Sequence, residues 1–180
     1  MPLATTHILV AIILIELFRN FFVKDNKKFP RYYILIAALG GIIPDLDIAG
    51  YYVLSLFGFT FEQIHRTFFH TIFIPLILFL IGIFIYQTKM KSKEFGKRHI
   101  NLHTTFFILA AGSLLHLILD ATLSGYIIPF YPFSSFSVGL NIIKLFPTAW
   151  QSLILPTLDG ILLIFWIFWM EFKLKISDYF

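Results

Sequence analysis

No cysteine occurs among the 180 residues of this chain. Disulfides, thiolate zinc sites and cysteine nucleophiles are thereby excluded together, and any bound metal must be held by His, Asp, Glu or backbone oxygen. The redox compartment is left undetermined. Charge is scarce as well: Asp, Glu, Lys and Arg make up 13% of the sequence, against about a quarter in a soluble domain. With 58% hydrophobic residues, including 23 Phe, a water-facing surface cannot be assembled, so the solvent must be largely lipid. Internal repeats, heptad arrays and low-complexity linkers are also missing, which leaves a single integral-membrane helical domain over residues 1–180 as the simplest organisation.

What the sequence does have is apolar length. A bilayer requires roughly 20 apolar residues per helical span. Five segments meet or approach that length, at about 3–22, 32–57, 68–88, 104–128 and 152–172. The predicted fold is all-α, a polytopic bundle of about five transmembrane helices. The first segment reads as a retained anchor, because no Lys or Arg precedes it and no small-residue cleavage site follows Phe22. The second is interrupted by Gly40-Gly41-Ile42-Ile43-Pro44-Asp45-Leu46-Asp47, and Pro44 lacks an amide hydrogen. A helix break is expected there. Irregular backbone at membrane depth survives only beside protein or a wet cavity, so the break predicts a water-accessible pocket.

The net charge of +4 does not indicate nucleic acid, because the basic residues lie in short clusters between apolar runs. Lys24, Lys27, Lys28 and Arg31 occupy the first connection, and Lys89, Lys91, Lys93, Lys97 and Arg98 the third. Lys173 and Lys175 follow the last span, whereas the second and fourth connections offer only Arg66 and Lys144. Basic loops stay cytoplasmic, which predicts an external N-terminus and a cytoplasmic C-terminus in the cell membrane. The Phe and Tyr residues then read as lipid-facing surface and interfacial belt, with membrane lipids as neighbours and no nucleic-acid partner.

Asp45, Asp47, Asp120 and Asp159 fall inside apolar runs. Each costs roughly 2.5–3.5 kcal/mol on insertion scales, and without local Lys or Arg partners the four need a cation. Histidines complete the pattern. His7 opens the first span, His65 and His70 flank the start of the third, with one on the loop and one in the first turn, and His116 shares a helix face with Asp120 four residues on. In the predicted topology His7, Asp45, Asp47, His65, His70, His116 and Asp120 fall near one level in the outer half of the membrane. That convergence is what a metal centre requires. Asp159 reads as a ligand, a group orienting a histidine, or a cap at a local helix break. Glu16 is assigned to a pair with Arg19 three residues on, and His99 and His103 to the cytoplasmic side, away from the centre.

The chain resembles the YdjM-like family of membrane-bound metal-dependent hydrolases. The likeness is carried by Thr6-His7, Gly41-Ile-Ile-Pro-Asp45-Leu-Asp47, His65-Arg66 with His70-Thr71, and His116-Leu-Ile-Leu-Asp120 followed by Gly125 and Pro132-Phe-Ser134. It spans about residues 5–135. One departure is Phe69, where the family usually has a small hydroxyl residue. The His-x-x-x-Asp pair is also similar to that of helical zinc-dependent phospholipases C, although Met1 stands where those enzymes have a metal-binding Trp.

The resemblance and the residues together predict a hydrolase using one or two divalent ions, zinc foremost, with manganese or iron as alternatives. Such an ion lowers the pKa of water and polarises a phosphoryl or carbonyl oxygen. Asp120 or Asp47 could bridge two ions, and Arg66 could bind a phosphate oxygen. These three are the catalytic candidates. A site at the outer interface favours an amphipathic substrate, a phospholipid or polyprenyl phosphoester, with the 129–150 segment as an interfacial flap or an ordinary loop. Two other classes stand beside this reading. A small ion or proton transporter is disfavoured by the lack of repeats and by polar groups gathered at one end. A noncatalytic adaptor with a structural metal would need a closed ligand shell.

Overall fold

The computed structural model describes residues 3–23, 29–88, 93–95 and 98–175. The chain is helical, with α1 Ala4–Phe18 running into a π-helical turn Arg19–Val23, then α2 Tyr32–Ile42, α3 Leu46–Leu54, α4 Phe61–Ile64, α5 Phe73–Gln87, α6 Leu102–Leu123 and α7 Thr148–Leu174. A short exception is the two-stranded antiparallel ladder of β1 Lys93–Phe95 with β2 Arg98–Ile100 between α5 and α6. Four helical stretches are long and apolar enough to cross a membrane: Ala4–Val23, Tyr32–Phe57, Leu102–Leu123 and Thr148–Lys173. Lys24, Lys27, Lys28, Lys89, Lys91 and Lys97 of the topology argument lie outside the described residues.

The third predicted span is shorter than expected. Helix α5 has 15 residues, about 22 Å of rise, and begins at Phe73 instead of near residue 68. The preceding residues form turns, in which the Thr67 and Thr71 hydroxyls donate to the Ile64 and Phe68 carbonyls. Such local hydrogen bonds compete with helix. Both His65 and His70 therefore sit in the loop before α5, and the expectation of His70 in a first helical turn is corrected.

The interruption in the second span takes a milder form than a break. Ile43–Asp45 is a single 3-10 turn joining α2 to α3, so one rod continues from Tyr32 to Phe57. Pro44 removes one amide donor, and the chain responds by tightening to i−3 bonding for one turn.

Helix α6 occupies the middle of the bundle, against α5, α2 and α1, while α1 also packs on α2 and α7. Glycines set how closely these helices meet. A Cβ on Gly112 would lie 2.6 Å from the Ala37 carbonyl oxygen, one on Gly40 2.7 Å from that of Leu109, and one on Gly41 2.9 Å from that of His7. Backbone meets backbone at all three. Small residues permit this approach in a membrane, where dispersion and hydrogen bonding replace the hydrophobic effect between helices. The contacts of α2 with α1 and α6 thus bring the His7, Gly41 and Leu109–Gly112 backbones together beside the polar residues. The core below is apolar, built from Ala11, Phe29, Tyr33, Ala37 and Ile108. Outside it, Leu35, Phe84, Ile118, Ile167 and Phe168 are exposed, as lipid-facing side chains should be.

Candidate metal centre

Four separated stretches deliver the centre. The first turn of α1 carries His7, the 3-10 turn and the start of α3 carry Asp45 and Asp47, the turns before α5 carry His65, Arg66 and His70, and the last two turns of α6 carry His116 and Asp120. All seven ligand candidates meet. Every one except Asp45 is buried, with His70 and Asp120 at zero exposure.

At the heart of the cluster, His116 Nε2 lies 3.2 Å from His70 Nε2. Asp120 Oδ2 is 3.3 Å from the His70 nitrogen and 3.6 Å from that of His116, while Asp45 Oδ1 is 3.6 Å from each. Ligands at about 2.0–2.1 Å around a tetrahedral ion stand roughly 3.3 Å from one another. Each carboxylate therefore forms, with the two histidine nitrogens, a triangle of the size that one divalent ion subtends.

Hydrogen bonding orients the rings for that role. His116 Nδ1 donates to the Gly41 carbonyl, two residues before the 3-10 turn, at 2.7 Å. A carbonyl can only accept, so the proton is on Nδ1 and Nε2 is the nitrogen that faces the cluster. Asp47 has the matching position behind the other rings. Its Oδ1 is 3.0 Å from His65 Nδ1, its Oδ2 is 3.0 Å from His70 Nδ1, and the Arg66 amide donates to Oδ2 at 3.1 Å. The His65 contact is a hydrogen bond of the kind that orients a metal-ligating histidine, while Asp47, His65 and His70 are also close enough together to hold an ion themselves.

His7 stacks on His116, with centroids 3.7 Å apart and planes 17° from parallel, and its Nε2 is 3.5 Å from Asp120 Oδ1. The two stacked rings thus address different oxygens of one carboxylate. Neither Asp120 oxygen has a hydrogen bond, and both are buried. Buried charges are paired or coordinate metal, and the donor set fits a divalent ion: two imidazole nitrogens facing one another, flanked by carboxylate oxygens of which those of Asp120 have no hydrogen bond.

Arg66 bounds the cluster. Its backbone is left-handed at φ 63°, and its guanidinium donates to the Ser124 carbonyl at 3.1 Å and to that of Tyr126 at 3.4 Å, with Nη2 3.7 Å from Asp120 Oδ1. Gly125 makes room for it, since a Cβ there would overlap the guanidinium. A cavity of about 200 Å³ opens at this side, lined by Phe61, His65, Arg66, Thr67, Tyr126 and Ile128.

A family model, the YdjM inner membrane protein, matches residues 1–176. The chain belongs to the YdjM family. No curated protein and no solved structure matches it. Together with the apolar helices, the YdjM match makes this an integral membrane protein.

In this YdjM chain the remaining expectations fall out unevenly. Asp159, on α7, accepts the Thr6 hydroxyl, which ties α7 to α1 one residue from His7. The 129–150 segment is anchored where it begins: Pro129 O accepts the Ile72 amide, Ile127 bridges Val138, and the Gly125 amide donates to the Asn141 side chain. Phe69, the departure from the family pattern, is an exposed ring. His103 contacts Tyr86 and Phe107 at the far end of α6, 13 residues before His116 and so about 20 Å away along the helix. The backbone of His99 is in β2. Glu16 does not follow its assignment, because it forms no ion pair with Arg19 among the described residues. The Arg19 side chain instead donates to the Phe29 carbonyl and Asn20.

Two participants escaped the sequence reading. The Gly41 carbonyl carries no side-chain signal at all, and Thr6 was noted only as part of Thr6-His7. A Thr beside a histidine, with an unpartnered intramembrane Asp elsewhere, was the available hint.

Proposed function

We propose that the centre binds divalent metal, zinc foremost with manganese or iron as alternatives, and hydrolyses a phosphoester of an amphipathic lipid or polyprenyl substrate. The observation that supports this reading is the approach of His70 Nε2 to His116 Nε2 at 3.2 Å, flanked by Asp45 and Asp120. His70, His116, Asp45 and Asp120 would hold one ion. The outer oxygen of Asp120, with His7, offers the beginnings of a second position, and the carboxylate could bridge the two. Asp47 orients His65 and His70 from behind instead of ligating. When bound, a divalent ion supplies an acidified water and a polarised phosphoryl oxygen.

The other roles belong to the chain. Arg66 borders the 200 Å³ cavity with its fork held by two backbone carbonyls, a geometry suited to receiving phosphate oxygens. His65 lines the same cavity and is the candidate to move a proton there. The cavity is bordered by His65 and Arg66, next to the residues that would hold the ion and not by those residues themselves. In the topology that the basic clusters support, the centre lies in the outer half of the membrane with the N-terminus outside and the C-terminus cytoplasmic.

The deciding experiment is elemental analysis of the purified protein followed by metal-dependent release of phosphate or head group from a panel of amphipathic phosphoesters. Bound metal with turnover that is lost on chelation and restored by the ion is the expected result. Bound metal without turnover across the panel would instead assign a structural centre, and protein that takes up no metal would remove the reading altogether.

A further inference from the structure

Far from the histidines, a second polar group is enclosed by apolar helices. Glu16 is nine residues after His7 on α1, about 14 Å along the helix axis. It is 2% exposed, its Oε2 has no hydrogen bond, and no ion pair satisfies it among the described residues. A cavity of about 470 Å³ opens beside it between α1, the start of α2 and the later turns of α7. Glu16, Arg31, Tyr32, Leu35, Trp166 and Met170 are among its lining. That volume lies within the range of small-ligand pockets.

The chemistry of the walls is specific. Glu16 supplies a carboxyl group at the buried end and Arg31 an exposed guanidinium at the rim, while the buried Arg19, three residues on, is outside the lining. The buried indole nitrogens of Trp166 and Trp169 have no hydrogen-bond partner. An anion at the deep end excludes a purely anionic ligand from that position, and an arginine at the rim disfavours a simple cation. A ligand with an ammonium and a phosphate joined by a short linker matches both. Aromatic faces of Tyr32 and Trp166 suit the ammonium, and Ile34, Leu35 and Met170 offer apolar surface for attached chains.

We propose that this cavity is a binding site for a zwitterionic aminophospholipid of the phosphatidylethanolamine type, with its ammonium on Glu16 and its phosphate on Arg31, on the membrane side opposite to the metal centre. The site is independent of the hydrolase reading.

Native mass spectrometry of delipidated protein in detergent tests it, with phosphatidylethanolamine, its N-acetylated derivative and phosphatidylglycerol of identical acyl chains as probes. Wild-type protein is expected to hold the ethanolamine lipid about tenfold more tightly than either of the others, the scale of one lost charge-assisted contact. Glu16→Gln should abolish that preference, and Arg31→Gln should weaken the ethanolamine lipid and the glycerol lipid alike. Helical circular dichroism and gel filtration confirm that the variants fold, and should Glu16→Gln fail to fold, the acetylated lipid on wild type decides alone. Equal affinity of wild type for the free-amine and acetylated lipids overturns the proposal, as does a preference that survives in folded Glu16→Gln. Displacement of the lipid by water-soluble phosphoethanolamine at similar concentration would overturn the choice of a lipid as ligand.

Discussion

The two polar regions of this molecule solve the same problem in opposite ways. At one end, seven His and Asp side chains from four stretches of chain crowd together, each close to another, in groups that could hold a metal ion. At the other end a single buried carboxylate, Glu16, faces an open cavity with its nearest cations engaged elsewhere or at the rim. The contrast separates preorganisation from mere burial. A metal centre needs convergent ligands with tautomers fixed from behind, whereas a head-group pocket needs space and one charge at each end.

Three predictions bear on that contrast. His116→Ala removes a ligand nitrogen and the ring that His7 stacks upon, so metal affinity should fall by more than about 100-fold, checked by competition with a chromogenic chelator. Retention of metal would mean that the converging nitrogens do not bind it. Asp47→Asn keeps the shape but weakens the acceptor behind His65 and His70, and a loss of about 10- to 100-fold is expected in the same assay. Were the loss as large as for His116→Ala, Asp47 would be a ligand and not an orienting group. Smallest of all should be the effect of His103→Ala or Glu16→Gln, which ought to leave metal affinity within about twofold, because each side chain is on the order of 14–20 Å from the centre along its helix. A tenfold change in either would couple the two ends.

Much of the centre was legible because intramembrane acids are expensive and therefore conspicuous. Asp45, Asp47, His116 and Asp120 stand out against Ile, Leu and Phe, and the i, i+4 spacing of His116 and Asp120 survives directly as a shared helix face. Hydropathy likewise located α1, α6 and α7 and the long α2–α3 rod. It misjudged the third span because Phe68 and Phe69 are as apolar as helix residues, while the turns around them are set by Thr hydroxyls and a left-handed Arg66. The division of labour between Asp45 and Asp47 was also out of reach. Two residues apart, they differ in whether they meet the front or the back of an imidazole, and that depends on a 3-10 turn whose extra rotation per residue no hydrophobic period encodes. Glu16 and Arg19, three residues apart, form no close ion pair among the described residues, because the π-helical turn beginning at Arg19 lets its guanidinium cap the Phe29 carbonyl.

The scattering of the ligand candidates over four stretches of chain also bears on how the protein is made. Asp45 and Asp47 leave the ribosome long before His116 and Asp120, so the second span enters the bilayer with two acids whose histidine partners do not yet exist. During that interval the nascent chain must be sheltered by the insertion machinery or by bound water. His65 and His70 supply the first partners, for Asp47 and Asp45, and the cluster is completed when α6 brings His116 and Asp120. Folding of this small protein is therefore tied to completion of its synthesis, and a chain arrested before residue 116 should be a substrate for membrane proteolysis rather than a stable fragment.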